Sequence, residues 1–331
     1  MAQAVAHRLC TAPMMDWSDR HCRYFFRRLS RNAVVYTEMI TSGALIHGDV
    51  DRHLRFHAEE HPVALQLGGS EPGDLAHCAR LGERYGYDEI NLNCGCPSER
   101  VQHGAFGACL MAEPRLVAGC VKAMRDAVST PVTVKHRLGI NSIEEYDFVR
   151  RFVDTVAQAG CATFLVHARN AVLKGLSPKD NREVPPLKYD YVYRLKKDFP
   201  ELRIIVNGGV DTLDKALVHL ENADGVMLGR VAYHDPYILA QADARLFGEP
   251  LQTRAAIVEA MLAYVQGEVA SGTPVRAIAR HMLGLYHGRP NARVWRRMLS
   301  DAKLLAANRP ALLLEAMRAT ESEQPPLAAV A

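Results

Sequence analysis

The residues of this chain best suited to chemistry lie in the stretch Asn-Leu-Asn-Cys-Gly-Cys-Pro-Ser, residues 91–98. The stretch begins with a strand pattern and is then interrupted by Gly95 and Pro97, which favour a loop. A thiol in such a loop can be exposed and can face a ligand. Most free cysteines are small buried hydrophobic residues, so this stretch alone leaves Cys94 and Cys96 open to either interpretation.

Short β-rich runs alternate with helical patterns along the first two thirds of the chain. The runs are apolar on both faces, which is typical of buried parallel strands. We predict eight strands, at residues 8–12, 34–39, 63–67, 89–92, 132–135, 163–166, 203–206 and 225–228. Eight strand–helix units within roughly 230 residues predict a (β/α)8 TIM barrel. An open doubly wound sheet is the alternative, although no G-x-G-x-x-G motif follows the first strand.

Polar or small residues lie at or just after the end of every predicted strand. In a barrel such positions meet at the carboxyl-terminal rim, where active sites lie. The residues concerned are Met14, Met15, Asp16, Glu38, Gln66, Gly68, Gly69, Asn93, Cys96, Lys135, His136, Arg137, His167, Arg169, Asn207, Gly208, Gly209, Gly229 and Arg230. Eight such strand ends together therefore predict one site.

The last two strand ends indicate what this site binds. Glycines follow both the seventh and the eighth strand, and Arg230 comes next, a pattern typical of a phosphate cradle. The alternative is a pair of tight turns that need positive φ. Gln66, Lys135 and His167 are suited to hydrogen-bonding the polar edge of a flat ring, although Lys135 also suits the Schiff-base nucleophile of an aldolase. We expect His136 and Arg137, beside Lys135, to add positive charge to the site.

A helical region follows the barrel, with predicted helices at residues 237–247, 254–271, 275–285, 292–306 and 311–321. We predict a catalytic domain over residues 1–240 and a small all-α domain over residues 241–331. Between Arg276 and Arg309 there are eight basic residues and a single acid, Asp301. This local basic field favours a polyanionic partner such as RNA, although basic helical faces are often only solvated.

Two basic clusters are candidates for contacts with that partner. Four residues are spaced to share one face of the predicted helix 292–306, and three others follow the sixth strand. They are Arg293, Arg296, Arg297 and Lys303 in the helix, and Lys174, Lys179 and Arg182 in the loop. We expect both clusters to hold an RNA backbone.

Composition limits the remaining possibilities. The chain of 331 residues is 48% hydrophobic and 23% charged, as in ordinary globular proteins. No apolar run approaches the ~20 residues of a membrane span, and the first residues lack a signal-peptide pattern. The eight cysteines show no CxxC pair or metal-ligand spacing, which predicts a cytoplasmic protein without a metal site.

Five motifs together resemble the tRNA-dihydrouridine synthases. They are residues 12–20 (APMMDWSDR), 91–98 (NLNCGCPS), 135–139 (KHRLG), 166–170 (VHARN) and 207–209 (NGG). Residues 175–187 are similar to the bacterial A subgroup in particular. The resemblance implies an FMN-containing barrel that uses NADPH to reduce uridines of tRNA, at positions 20 and 20a of the D-loop, and a helical domain that grips the RNA.

The resemblance also implies residue roles. Cys96 would be the proton donor, and Asn93 would meet the target uridine. The residues implied to hold FMN are Pro13, Met14, Met15, Gln66, Lys135, His167, Asn207, Gly208, Gly209, Gly229 and Arg230. We expect tRNA and NADPH as partners, neither membrane nor DNA, and a monomer. Cys94 stands where the family commonly has an apolar residue, so its role stays open.

The chemistry of uracil reduction agrees with these roles. Reducing the C5–C6 bond needs a hydride at C6 and a proton at C5, and a thiol can supply the proton where a carboxylic acid would already be ionised. Three other hypotheses stay open: a flavoenzyme for a free pyrimidine, a Lys135 aldolase and a non-catalytic RNA-binding protein. Flavin absorbance of the purified protein would remove the last two, since neither needs a flavin.

Overall fold

The computed structural model describes residues 6–98, 104–143 and 145–322. Eight parallel strands form one sheet in the order β1-β8-β7-β6-β5-β4-β3-β2. The two edge strands also meet, because Cys10 forms a parallel bridge with Val34, just before β2. The sheet is therefore a nearly closed barrel, and the predicted TIM-barrel fold is confirmed.

The strands begin and end close to where the sequence predicts them. They are β1 (Leu9–Thr11), β2 (Val35–Thr41), β3 (Val63–Gly68), β4 (Glu89–Cys94), β5 (Val132–Arg137), β6 (Thr163–His167), β7 (Arg203–Asn207) and β8 (Gly225–Leu228).

Helices follow most strands, as a parallel barrel requires. Up to residue 234 they are α1 (Arg20–Leu29), α2 (Ser42–His47), α3 (Val50–Leu54), α4 (Pro72–Tyr85), α5 (Pro114–Ala127), α6 (Tyr146–Gln158), α7 (Tyr189–Asp198), α8 (Leu213–Leu220) and α9 (Arg230–His234). Later in the chain they are α10 (Tyr237–Phe247), α11 (Arg254–Ala270), α12 (Val275–Met282), α13 (Ala292–Ser300), α14 (Ala302–Ala306) and α15 (Leu312–Glu321).

Alternate residues of each strand face the inside of the barrel, as the two-residue period of a strand dictates. A layer of apolar side chains fills part of the interior; its members are Cys10, Ala12, Val34, Tyr36, Ala64, Leu165, Ile205 and Met227. Gln66, His167 and Asn207 lie two residues further along their strands than Ala64, Leu165 and Ile205, so they face the same interior nearer the carboxyl ends of the strands.

Two compact units separate within the described residues. One comprises the residues up to Arg23 together with Asn32–Arg230, and the other comprises Tyr24–Arg31 together with the residues from Val231 onward. In the second unit, Trp295 is fully buried and donates its indole N–H to the Met282 carbonyl at 2.8 Å. No helix of the described residues is long and apolar enough to cross a membrane.

The single helix predicted over residues 292–306 is wrong. Two helices, α13 and α14, occupy this range, and Asp301 separates them. The Asp301 carboxylate accepts hydrogen bonds from the backbone N–H groups of Lys303 (2.8 Å) and Leu304 (3.0 Å), so it caps α14. A single helix would place Asp301 in its interior, where aspartate is unfavourable.

Candidate active site at the carboxyl ends of the strands

The register of neighbouring strands brings the predicted rim residues side by side. Asn93 of β4 pairs with Lys135 of β5, and His167 of β6 pairs with Asn207 of β7. On the other flank, the Asn93 amide donates to Gln66 Oε1 at 2.8 Å. Five strands therefore contribute to one site, although their residues are far apart in the sequence.

The thiol of Cys96 lies in the loop directly after β4, and this loop is held from inside the barrel. Asn93 Oδ1 accepts hydrogen bonds from the backbone N–H groups of Gly95 (3.1 Å) and Cys96 (2.9 Å). Ala108 N–H donates to the Cys96 carbonyl at 2.9 Å. The Cys96 side chain itself is half-buried, with its sulfur 3.6 Å from Ser98 Oγ.

Cys94 lies on the opposite face of β4. Its neighbours along the strand, Asn93 and Asn91, face the barrel interior, so Cys94 faces outward, and its side chain is fully buried. Burial raises the pKa of the Cys94 thiol well above its usual range. A thiol in such surroundings is a packing residue, and only Cys96 of this pair belongs to the site.

Lys135 and His167 share an environment that is rich in positive charge. Burial, and then the Arg137 charge, lower the pKa of Lys135 to about 8, against the effect of Cys96. Burial and the charges of Arg137 and Lys135 likewise hold the pKa of His167 well below its usual range. Neither side chain makes a hydrogen bond within the described part of the chain, so both are free to bind an electron-rich ligand.

Arg137, one of the predicted rim residues, also holds two loops together, a role that the sequence did not reveal. It is buried, and its guanidinium donates to three backbone carbonyls, those of Gly95 (2.9 Å), Asn170 (2.8 Å) and Asn181 (2.8 Å). No carboxylate of the described residues forms an ion pair with it. Arg137 therefore joins the loop of Cys96 to the long segment after β6.

His136, between Lys135 and Arg137, does not belong to the site. It packs against Phe152 and Phe164 with ring centroids 5.1 Å and 5.8 Å away. Burial lowers the pKa of His136 to about 4 despite a hydrogen bond to the Arg137 carbonyl. The imidazole is therefore neutral at neutral pH, and the prediction that it adds positive charge to the site is wrong.

The glycine turns after β7 and β8 fit a phosphate group. Gly208 and Gly209 adopt φ of 103° and 68°, and a Cβ on Gly208 would lie 2.5 Å from His167 Cδ2. A Cβ on Gly229 would meet open space. Within the described residues, the N–H groups of Gly209, Gly229 and Arg230 donate to no protein acceptor, and such N–H groups bind phosphate well.

Arg230 begins α9 beside this turn. Its guanidinium pairs with the Glu183 carboxylate at 2.5 Å, and its side chain is 40% exposed. Burial, and then the nearby charge of Arg230, lower the pKa of Arg182. The donors at this rim include a cationic group, backbone N–H groups and the side-chain amides of Gln66 and Asn93. These donors fit the FMN that the sequence resemblance implies.

Three further residues implied to hold FMN follow β1. Pro13 and Met14 are half-buried, and Met14 packs against the apolar layer inside the barrel. Met15 is 59% exposed. The structure therefore places Pro13 and Met14 at the rim and leaves the Met15 side chain largely in solvent.

Comparison with known proteins gives the family. The model of the dihydrouridine synthase family matches residues 10–321. The chain belongs to this family. It is 58% identical over 313 residues to the tRNA-dihydrouridine(20/20a) synthase of Pseudomonas syringae pv. tomato, covering 94% of this chain and 93% of the relative. It is also 58% identical to the enzyme of the same name from Escherichia coli O6:H1, covering 89% and 90% of the two chains.

A solved structure shows the same fold at low sequence identity. The old yellow enzyme homologue from Zymomonas mobilis superposes with a TM-score of 0.52 and 12% identity, covering 75% of this chain and 90% of that one. The predicted family and the predicted enzyme class, a tRNA-dihydrouridine synthase, are therefore confirmed. Membership of this family removes the aldolase and the non-catalytic hypotheses.

In this dihydrouridine synthase the loop after β6 is exposed to solvent, and hydrogen bonds within the loop hold its backbone in place. Lys174, Lys179 and Arg182 are exposed, whereas Asn181 between them is fully buried. The Asn181 side chain accepts from Val172 N–H at 2.7 Å and donates to the Val172 carbonyl at 2.9 Å. The loop therefore presents its cations on a framework that Asn181 fixes.

The basic cluster of the helical unit is divided between two helices. Arg293, Arg296 and Arg297 are exposed on α13, and Lys303 is exposed on α14. The prediction that all four share one helical face is wrong, because Asp301 ends the first helix and caps the second. The three arginines remain on one exposed side of α13, opposite the buried Trp295 and Leu299.

Proposed function

We propose that this protein reduces the C5–C6 bond of uridines 20 and 20a in the tRNA D-loop, with FMN as cofactor and NADPH as reductant. The observation that carries the proposal is the position of Cys96. Its half-buried thiol lies on a loop anchored by Asn93, beside a rim of free hydrogen-bond donors. Relatives at 55–58% identity named as tRNA-dihydrouridine(20/20a) synthases support the choice of substrate.

The residues proposed to hold FMN divide into two groups. The phosphate would be bound by the N–H groups of the turns at 207–209 and 229–230 and by the Arg230 guanidinium. Gln66, Lys135 and His167 would bind the polar edge of the ring, and Pro13, Met14 and Met15 would complete the site. When bound, FMN supplies the hydride that C6 of uracil receives.

Cys96 is proposed to give its proton to C5 of the target base. Asn93 is the residue proposed to meet the uridine, because its amide holds the Cys96 loop and adjoins Lys135. One N–H of the Asn93 amide goes to Gln66, and the second has no acceptor in the described residues. That N–H can donate to a carbonyl oxygen of the uracil ring.

The target base must leave its stack to reach a barrel rim, which costs a few kcal/mol. We propose that phosphate contacts offset this cost. The residues proposed to make them are Lys174, Lys179 and Arg182 in the barrel unit and Arg293, Arg296, Arg297 and Lys303 in the helical domain. On this proposal residues 1–240 catalyse and residues 241–331 bind tRNA, as a monomer in the cytoplasm.

The proposal is tested with purified protein, FMN, NADPH and tRNA that has not been modified. We expect NADPH oxidation coupled to a mass gain of two hydrogen atoms at uridines 20 and 20a. Free uridine and free uracil serve as controls for a small-molecule substrate. Reduction of either free compound at a rate equal to that of tRNA would contradict the proposal.

A further inference from the structure

A continuous line of hydrogen bonds crosses the barrel interior from the amino-terminal to the carboxyl-terminal end. Thr133 Oγ1 donates to Glu89 Oε1 (2.6 Å), and Asn91 Nδ2 donates to Thr133 Oγ1 (2.8 Å). Gln66 Nε2 donates to Asn91 Oδ1 (2.8 Å), and Asn93 Nδ2 donates to Gln66 Oε1 (2.8 Å). We call these five residues the interior chain; all of them are buried.

The direction of every bond in the interior chain is set by its two ends. At one end, a carboxylate can only accept, so Thr133 must donate to Glu89 and accept from Asn91. At the other end, the N–H groups of Gly95 and Cys96 can only donate, so Asn93 must turn its oxygen toward them. Both ends demand the same orientation of each amide between them.

Glu89 is kept as a carboxylate by its surroundings. It accepts from Tyr36 OH at 2.6 Å and forms an ion pair with His7. Burial acts to raise the pKa of Glu89, but the charge of His7 and hydrogen bonds from His7, Thr133 and Tyr36 outweigh it, and the pKa lies below its usual value. The end of the interior chain farthest from the site is thus a fixed acceptor.

We propose that Glu89, Thr133 and Asn91 are positioning residues that hold Gln66, Asn93 and the Cys96 loop in one orientation. The inference rests on the proposed function only in taking Cys96 as the reacting thiol. A buried amide without its partners turns or admits water, because an unmade hydrogen bond in the interior is costly. Removing one link should therefore free the amides beyond it and loosen the Cys96 loop.

The orientation also decides what the site offers to its ligands. Gln66 and Asn93 each use one amide N–H and their oxygen within the chain. Each of these two amides then has one polar group without a partner in the described residues, its second N–H. The interior chain therefore presents donors to the site, which suits carbonyl oxygens of a flavin or a uracil ring.

Thr133→Val tests the chain, because valine matches threonine in shape and cannot relay a hydrogen bond. Thr133→Ser restores the hydroxyl. Thr11→Val is the matched control, since Thr11 is buried at the end of β1 and its hydroxyl has no partner in the described residues. Two readouts are measured: the rate at which iodoacetamide alkylates Cys96, followed by peptide mass spectrometry, and the rate of tRNA reduction by the FMN-loaded enzyme.

We expect Thr133→Val to alkylate at Cys96 about fivefold to tenfold faster and to reduce tRNA about tenfold more slowly. Thr133→Ser and Thr11→Val should stay within about twofold of the parent in both rates. If Thr133→Val does not fold, Asn91→Ala replaces it, with the same expected change in alkylation.

Equal alkylation and reduction rates in the parent and in the variant that breaks the chain would overturn the proposal, whatever happens to thermal stability. The alkylation rate needs no tRNA. A parent enzyme that fails to reduce tRNA would therefore contradict the proposed function while leaving the positioning role tested by alkylation alone.

Discussion

Arg137 donates its Nε–H to the carbonyl of Gly95 at 2.9 Å and thereby fastens the end of β5 to the loop that carries Cys96. The same guanidinium reaches Asn170 and Asn181, so one buried cation joins two loops with no carboxylate partner among the described residues. The arrangement places positive charge at the rim without neutralising it. Burial, and then that charge, lower the pKa values of Lys135 and His167.

Replacing Arg137 with methionine should destabilise the protein and loosen the long loop. The variant cannot form the three hydrogen bonds that the charged guanidinium makes, and we expect a decrease of about 2–4 kcal/mol in the free energy of unfolding. Urea denaturation measures the change, and limited proteolysis between β6 and α7 reports on the loop. Arg151→Met, at an exposed position of α6, is the control. Equal stability and equal proteolysis in both variants would contradict this role.

Arg230→Ala should weaken FMN binding while the fold persists. The guanidinium is proposed to make a charge-assisted bond to the phosphate, and removing one such bond costs about 1.5–3 kcal/mol. Flavin fluorescence during titration gives the dissociation constant, which should rise by about tenfold or more. Arg203→Ala, at the other end of the barrel on the first residue of β7, should bind FMN like the parent. Unchanged retention of FMN by Arg230→Ala would mean that the phosphate binds elsewhere.

The affinity for FMN should fall as the pH is raised through about 8. The pKa of Lys135 is lowered to about 8, chiefly by burial, so its ammonium is present below that pH and absent above it. Because the cation is proposed to attract the electron-rich edge of the ring, binding is tighter at the lower pH. Titrations at a series of pH values test this. Lys135→Met should bind more weakly and lack this step, and an identical step in that variant would assign it to another group.

Replacing Arg293 and Arg297 with glutamine should weaken tRNA binding and reduce its salt dependence. The slope of log K against log salt should flatten by about 0.7–0.9 for every phosphate that the protein no longer binds. Arg80 and Arg84 are the matched control, because they have the same spacing of four and are exposed on α4. Flavin content and NADPH oxidation should not change. If both double variants bind tRNA with the parent slope, the face of α13 is only solvated.

Most of the fold could be predicted because apolar runs on both faces and turn residues mark each parallel strand. The positions of the rim residues could be predicted as well, since all the parallel strands of a barrel end at the same side. The role of Arg137 could not be predicted, because its acceptors are backbone carbonyls of loops, which leave no pattern in the sequence. The outward position of Cys94 follows from strand alternation only once β4 is known to extend as far as Cys94.

The interior chain could not be predicted from the sequence either. Glu89, Asn91 and Thr133 read as polar interruptions of apolar strands, and their contact depends on the register between β4 and β5. The separation of α13 and α14 was missed for another reason. Aspartate is a strong signal for the start of a helix, but the periodic apolar pattern around Asp301 favoured one continuous helix.

The role of Cys96 as the proton donor is tested most directly by separating the two half-reactions in Cys96→Ala, with Cys94→Ala as the matched control. Both variants should let NADPH reduce the bound flavin at the parent rate, because that step needs no proton at C5. When reduced enzyme is then mixed with unmodified tRNA in the absence of oxygen, we expect flavin reoxidation in the parent and in Cys94→Ala. We expect almost none in Cys96→Ala. Normal reoxidation by tRNA in Cys96→Ala would contradict the assignment of Cys96 as the proton donor.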